Sequence, residues 1–214
     1  MTESFRNGST RFHIFQDGVN GSATARGLGE GRTETHVTSY QRTPALLFIS
    51  SFTGRGAPFL DSALVLRDGL VPVWEIHHVG GRRTRFDYNG AHVGLEVTTP
   101  DSARHQTAHR YDRPVFHFNE LDALIRAVPF RAGYHAIVPL YSEMDDALEM
   151  DTITVETHDA RGTWNVRFAD NVIIGHYGID PATRAIIRHD VERHTGGARF
   201  HLVPDTSDTA QIKM

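Results

Sequence analysis

The 214-residue chain contains no cysteine, which excludes disulfides, thiolate nucleophiles and Cys-ligated zinc or iron–sulfur centres. Lysine is almost as scarce: Lys213 stands alone near the C-terminus, so a Schiff base on a core lysine is excluded. No apolar run approaches the roughly 18 residues of a membrane-spanning helix, and the opening MTESFRNGS has no apolar signal core. The chain as it stands is therefore expected to be soluble. A periplasmic or cell-envelope location requires a signal that has been removed, and a cytoplasmic one follows otherwise. An excess of one charge is also missing: the net charge is -4, with acids and bases mixed along the sequence. That leaves no electrostatic footprint for nucleic acid or an anionic membrane.

What is present describes a β protein. Apolar residues make up 39% and aromatics 9%, with 19 glycines and 9 prolines, which suits a folded, turn-rich chain rather than a disordered one. No repeat, low-complexity tract or linker divides it, so a single domain over 1–214 is expected, with loose polar tails at about 1–9 and 205–214. Alternating segments follow one another at 10–16, 20–29, 32–42, 45–53, 62–67, 71–79, 82–88, 91–98 and 104–111. They resume at 134–141, 150–158, 162–169, 171–178, 184–193 and 198–203. Gly80-Gly81, Asn89-Gly90, DARG at 159–162 and DPAT at 180–183 mark hairpin turns. Sequential hairpins make an antiparallel meander, here a closed or half-open, lipocalin-like barrel.

One stretch breaks the pattern: PVFHFNELDALIRAVPFRAGYHAIVPLY, residues 114–141. Leu121, Leu124, Ile125 and Val128 recur at i, i+3, i+4 and i+7, Asn119 is a suitable N-cap, and Glu120 and Asp122 fall where the helix dipole favours acids. Pro129 ends the run. The spacing predicts a short amphipathic helix over about 119–128. It is too short to hold alone, so its apolar face must lie on the sheet and plug or close the barrel.

The order of these elements resembles a group of bacterial β-rich proteins of unknown function, distantly like the LolA-type open-barrel lipoprotein carriers. The matching residues are Pro129, Gly133 and Tyr134 after the helix, Pro139 and Leu140 at the end of the next strand, and Asp180, Pro181, Thr183, Ile186 and Arg188 in a late hairpin. LDSALVLRDGLVPVWE at 60–75 resembles the group's central strand pair. The resemblance spans roughly 60–204 and rests on turn and strand signals. It implies a cell-envelope protein whose concave sheet holds an apolar ligand or a partner's segment, and it brings no catalytic residue with it. Fourteen histidines and the absence of a visible signal or lipobox depart from that pattern.

The histidines raise metal binding as an alternative. His105 and His109 copy the i, i+4 spacing of a zincin helix, but the Glu is missing and the segment reads as strand, where four residues span about 13 Å. His77 and His78 are adjacent and point to opposite faces of a strand. No metal site is therefore assigned and no cofactor is predicted, although a zinc or other divalent ion held by histidines from separate strands is left open. If Gly80 and Gly81 form a type I′ turn, Val79 pairs with Arg82, His77 with Thr84, Glu75 with Phe86 and Val73 with Tyr88. Glu75 and His77 then face an apolar interior together and could serve as an acid–base pair, unless they make a buried structural hydrogen bond or the register is inverted. On 105–111, the face bearing His105, Thr107, His109 and Tyr111 opposes one rich in arginine and so turns inward. His117 lies near the barrel mouth or in a plain loop, while His135 and Tyr141 face away from the interior. YSEMDDALEMD at 141–151 reads as a solvated acidic loop, because it lacks the glycine and ligand spacing of an EF-hand.

Two functions follow. The first is a binding protein that holds a hydrophobic or amphipathic ligand in the barrel, with Phe86, Tyr88, His117 and Tyr134 as ligand-binding residues. The second is an enzyme of hydrolase or lyase type, with Glu75, His77, His105, His109 and Tyr111 as catalytic or metal-ligand candidates. Oligomeric state stays open.

Overall fold

The computed structural model describes residues 5–17, 25–117, 120–142, 147–194 and 198–205. The first half of the chain supplies β1 (Gly8–Gln16), β2 (Arg26–Tyr40), β3 (Thr43–Gly54), β4 (Phe59–Leu66), β5 (Pro72–Val79), β6 (Arg82–Asn89), β7 (His92–Thr98) and β8 (Arg104–Arg110). Then come β9 (Phe116–His117), the helix α1 (Leu121–Ala127), β10 (His135–Ser142) and β11 (Ala147–His158). The chain ends with β12 (Trp164–Ala169), β13 (Ile173–Ile179), β14 (Ile186–Arg193) and β15 (Arg199–Pro204).

All 15 strands belong to one sheet, in the order β8 to β1 followed by β15 down to β9. Every neighbouring pair is antiparallel except β9 on β10. The two halves of the meander meet where β1 pairs with β15 in the middle of the sheet. Residues 18–24 lie outside the described residues, and what is described of the segments expected at 20–29 and 32–42 is one strand from Arg26 to Tyr40, because Gly29 and Gly31 pass through extended backbone without a turn and β2 stays paired to β3 from Gly29 to Tyr40. The order begins earlier than the sequence suggested: β1 starts at Gly8, and Phe5 is fully buried against Phe48 at a ring separation of 5.9 Å.

The Gly80-Gly81 hairpin has the expected register, with Val79 opposite Arg82, His77 opposite Thr84 and Glu75 opposite Phe86. Both glycines have positive φ, 55° and 83°, which is what a type I′ turn demands and what residues with a Cβ resist. The helix is shorter than the periodicity predicted. Glu120 occupies the N-cap position without a side-chain cap bond, and Asn119 lies outside the described residues. Val128 is extended at φ -59° and ψ 150°, as the residue before a proline must be, and this ends the helix.

α1 lies across the concave face and joins two apolar clusters. Leu121 and Ile125 pack with Val138, Leu140, Ile153, Phe168 and Tyr177. Ala123 and Leu124 pack on the other side with Phe5, Leu46, Phe48 and Val65. Arg184 fastens the helix end: its Nη1 donates to the carbonyls of Arg126 at 2.6 Å and Val128 at 2.9 Å, while Arg126 Nε donates back to the Arg184 carbonyl at 2.8 Å.

The sheet is not a closed barrel, since no ladder joins β8 to β9 among the described residues. Its ends overlap instead. Tyr141 pairs with His117 on the face of β9 and β10 turned away from α1, yet both side chains are buried, because the inner face of β5 to β8 lies over them. Phe86 stands 5.9 Å from the Tyr141 ring and His109 stands 5.7 Å from it. Two edges that overlap face to face cannot also hydrogen-bond in one plane, which is the physical reason that, of the closed and half-open forms expected, the sheet takes the half-open one. The stretch 141–151 is mostly strand, contrary to a solvated loop: Tyr141 and Ser142 end β10 and 147–151 begin β11, with 143–146 outside the described residues. Asp151 is buried there, and desolvation with the nearby Asp170 and Glu149 charges pushes its carboxyl up to about 7.

Candidate functional site

Polar side chains gather at the seam where the sheet ends overlap, in a trough beneath α1, and around His201 of β15, Asp190 of β14 and Asp17 just after β1.

The seam holds most of the residues singled out from the sequence. Glu75 and Thr84 are fully buried on the inner face beside Phe86, as the hairpin register requires. Glu75 and His77 share that face of β5, as expected. His117 Nδ1 lies 2.7 Å from Glu75 Oε1, its ring tilted 4.5 Å over Phe86, and His77 Nδ1 hydrogen-bonds Asp61 Oδ1. Glu120 completes the group by accepting the His117 backbone N–H at 3.1 Å. Burial, then the Glu75 charge, holds the Glu120 carboxyl well above the usual carboxylate range, and burial with both glutamates does the same to the Tyr88 hydroxyl. Glu120 Oε1 and the Tyr88 hydroxyl are enclosed without a hydrogen-bond partner among the described residues.

The remaining predicted residues separate. His109 is half-buried beside Tyr111 and Tyr141. His105 and Thr107 are exposed although they share the inner face of β8, because β8 is the sheet's edge and only its far end is covered by β10. Tyr134 packs on the cluster around Leu121 and Phe168, and His135 is exposed, as expected. Among the described residues no group of three or more His, Asp or Glu side chains has the arrangement of a metal site.

The trough is built from residues the sequence did not mark. It has two lobes, of about 210 Å³ and about 170 Å³. They share Phe12, Thr33, Ser50 and Asp122, and so adjoin beneath the helix. Strand alternation places Phe12, Ile14, Phe52, Phe59 and Leu202 on this inner face, giving the farther lobe apolar walls. Arg126 lines the nearer lobe. Its Nη1 donates to Thr35 Oγ1 at 2.8 Å and its guanidinium lies 4.8 Å above the Phe5 ring. Burial pushes it down to about 10, partly offset by Asp122. In the farther lobe His189 stacks on Tyr177 at 4.0 Å, with Nε2 enclosed and without a hydrogen-bond partner among the described residues. Burial lowers its pKa, against the charges of Asp122 and Asp190.

A sequence signal for these residues existed but was faint. Asp122 and Arg126 are spaced i, i+4 on the helix, and His189 alternates with Val191 on β14. Nothing local says that strands about 175 residues apart, β1 and β14, wall the same cavity. Of the four residues expected to bind a ligand, none lines either lobe: Phe86, Tyr88 and His117 lie at the seam and Tyr134 in the core.

Fold and site together define an all-β protein of a single rolled meander with a helix laid in its concavity. The profile of a protein of unknown function, DUF3108, matches residues 19–173, well over half of the chain, and the protein belongs to that family. That span runs from the approach to β2 as far as Ile173 and includes the seam, α1 and most of the strands around them. No curated protein and no solved structure matches. No described helix is long and apolar enough to cross a membrane.

Proposed function

We propose that this protein binds a small amphipathic ligand in the trough beneath α1. The observation that carries the proposal is the pair of adjoining lobes, one walled by apolar side chains and the other by Arg126, Thr35 and Glu34. Together they reach the lower end of the range, roughly 300–1,000 Å³, in which small-molecule sites fall, and they combine apolar walls with a few polar groups as such sites do. The likeness to open-barrel lipoprotein carriers and a cell-envelope location belong to the same proposal. Binding is preferred to a hydrolase or lyase activity because the acid–base partners Glu75 and His117 stand outside both lobes.

The test is displacement of an environment-sensitive naphthalene dye, with native mass spectrometry to detect retained ligand. Ile14→Trp, which fills the farther lobe, is expected to weaken dye binding roughly tenfold or more while the fold, read by circular dichroism, persists. A wild-type protein that binds neither dye nor any single-chain amphiphile would refute the proposal.

A further inference from the structure

The nearer lobe contains a charge that the protein leaves unmatched. Arg126 makes two hydrogen bonds, to a hydroxyl and a carbonyl, and no ion pair with a carboxylate among the described residues. A guanidinium carries five N–H donors and stays charged even when burial lowers its pKa. Taking such a group out of water is costly unless an anion joins it. Arg184, the other cation near it, is engaged with helix carbonyls and adds repulsion, not compensation.

The acids of the trough do not fill the gap. Glu34 is engaged by Arg32 at 3.2 Å and His36 at 2.9 Å. Asp122 lines both lobes one helical turn before Arg126 and offsets part of its charge, but no ion pair joins the two among the described residues. The exposed Arg6 lines the nearer lobe as well and adds positive charge there. Beyond Asp122 the walls are mainly Phe12, Ile14, Phe52 and Phe59 with the enclosed His189 ring, and the two charged residues also present are engaged, Arg32 with Glu34 and Asp61 with His77.

From this polarity we infer that the ligand is a single-chain amphiphile with an anionic headgroup, a carboxylate or a phosphate. The headgroup pairs with Arg126 and the tail runs past Asp122 into the farther lobe. The inference rests on the trough being the binding site, and adds which end of the ligand lies where.

Dodecanoate and dodecyl phosphate, each below its micelle concentration, and dodecanol, below its solubility limit, are titrated against the dye-loaded wild-type protein. At least one anion is expected to bind about tenfold or more tighter than dodecanol, the effect of one charge-assisted pair, and the tighter of the two identifies the headgroup. Arg126→Gln is expected to abolish that preference. If that variant does not fold, Asp122→Asn serves instead: it removes the repelling charge and is expected to strengthen anion binding but not dodecanol binding. Equal affinity of the wild-type protein for all three overturns the headgroup assignment and leaves the trough as a binding site. Failure of all three to displace a dye that itself binds overturns the headgroup assignment, and failure of the dye to bind as well overturns the trough.

Discussion

Glu120 shows how a single side chain can set the pH response of the seam. Its carboxyl is enclosed, sits near Glu75 and accepts one backbone N–H, so the native state keeps the proton over a range in which the unfolded chain has lost it. The native pKa lies above the unfolded value of about 4.5, so its contribution to stability falls as pH rises from there. Glu120→Gln keeps an acceptor for the His117 N–H and removes the charge. It is expected to raise the melting temperature at pH 8, because the variant folds without taking up a proton at this position. The difference in melting temperature should shrink towards pH 4.5. A gap independent of pH would show that the carboxylate charge is not what the seam resists. The same scale shows what the sequence could disclose. Glu75 was legible as an inward residue because Gly80-Gly81 fixes the register. Its partner His117 was not, because 42 residues separate the two and only the roll of the sheet brings them together.

Among the elements, α1 depends most on its surroundings. Seven residues are too few to form a helix alone, so its place rests on Leu121 and Ile125 in one cluster, Ala123 in the other, and Arg184 at its end. The guanidinium of Arg184 also stacks 4.2 Å over Phe130, so one residue caps the helix and pins the chain after it. Arg184→Ala removes both helix-end bonds and is expected to cost about 1.5–3 kcal/mol in urea denaturation. It should also loosen the trough, seen as weaker dye binding. Unchanged stability would show that water caps the helix end equally well. The apolar stripe and Pro129 made the helix readable from sequence. β9 was not, since two residues carry no periodicity and their parallel pairing with β10 is a tertiary event.

For the whole molecule, overlap replaces closure. A strand-to-strand seam would be held by a ladder of backbone bonds, but this one is held by side chains, with Phe86, Val93, Val115 and Tyr141 as its centre. Tyr141→Ala is expected to cost about 3–5 kcal/mol, as large-to-small core changes do. It should raise amide exchange selectively in β6 to β10 while β2 and β3 stay protected. Uniform loss of protection would indicate that the sheet opens as one unit instead. Most of the hairpin pairings and the single helix could be read from local pattern, because hairpins are local, although two expected strands are one and β9 carried no signal. The overlap could not, because alternation says which residues share a face and not what lies over that face.

The pairing of β1 with β15 also bears on how the chain is made. Phe12 lies opposite Pro204 and Gln16 opposite Phe200, so β1 waits for a partner strand that is synthesised long after it. Until then β1 offers a bare edge to any neighbouring nascent chain. The mean sequence separation of contacts is raised accordingly, which predisposes the protein to slow folding. Ligation of the two ends with a cut between Tyr111 and Val115 would turn the same strands into an uninterrupted run from one edge of the sheet to the other. In that permuted chain each strand would find its partner as soon as the next was synthesised.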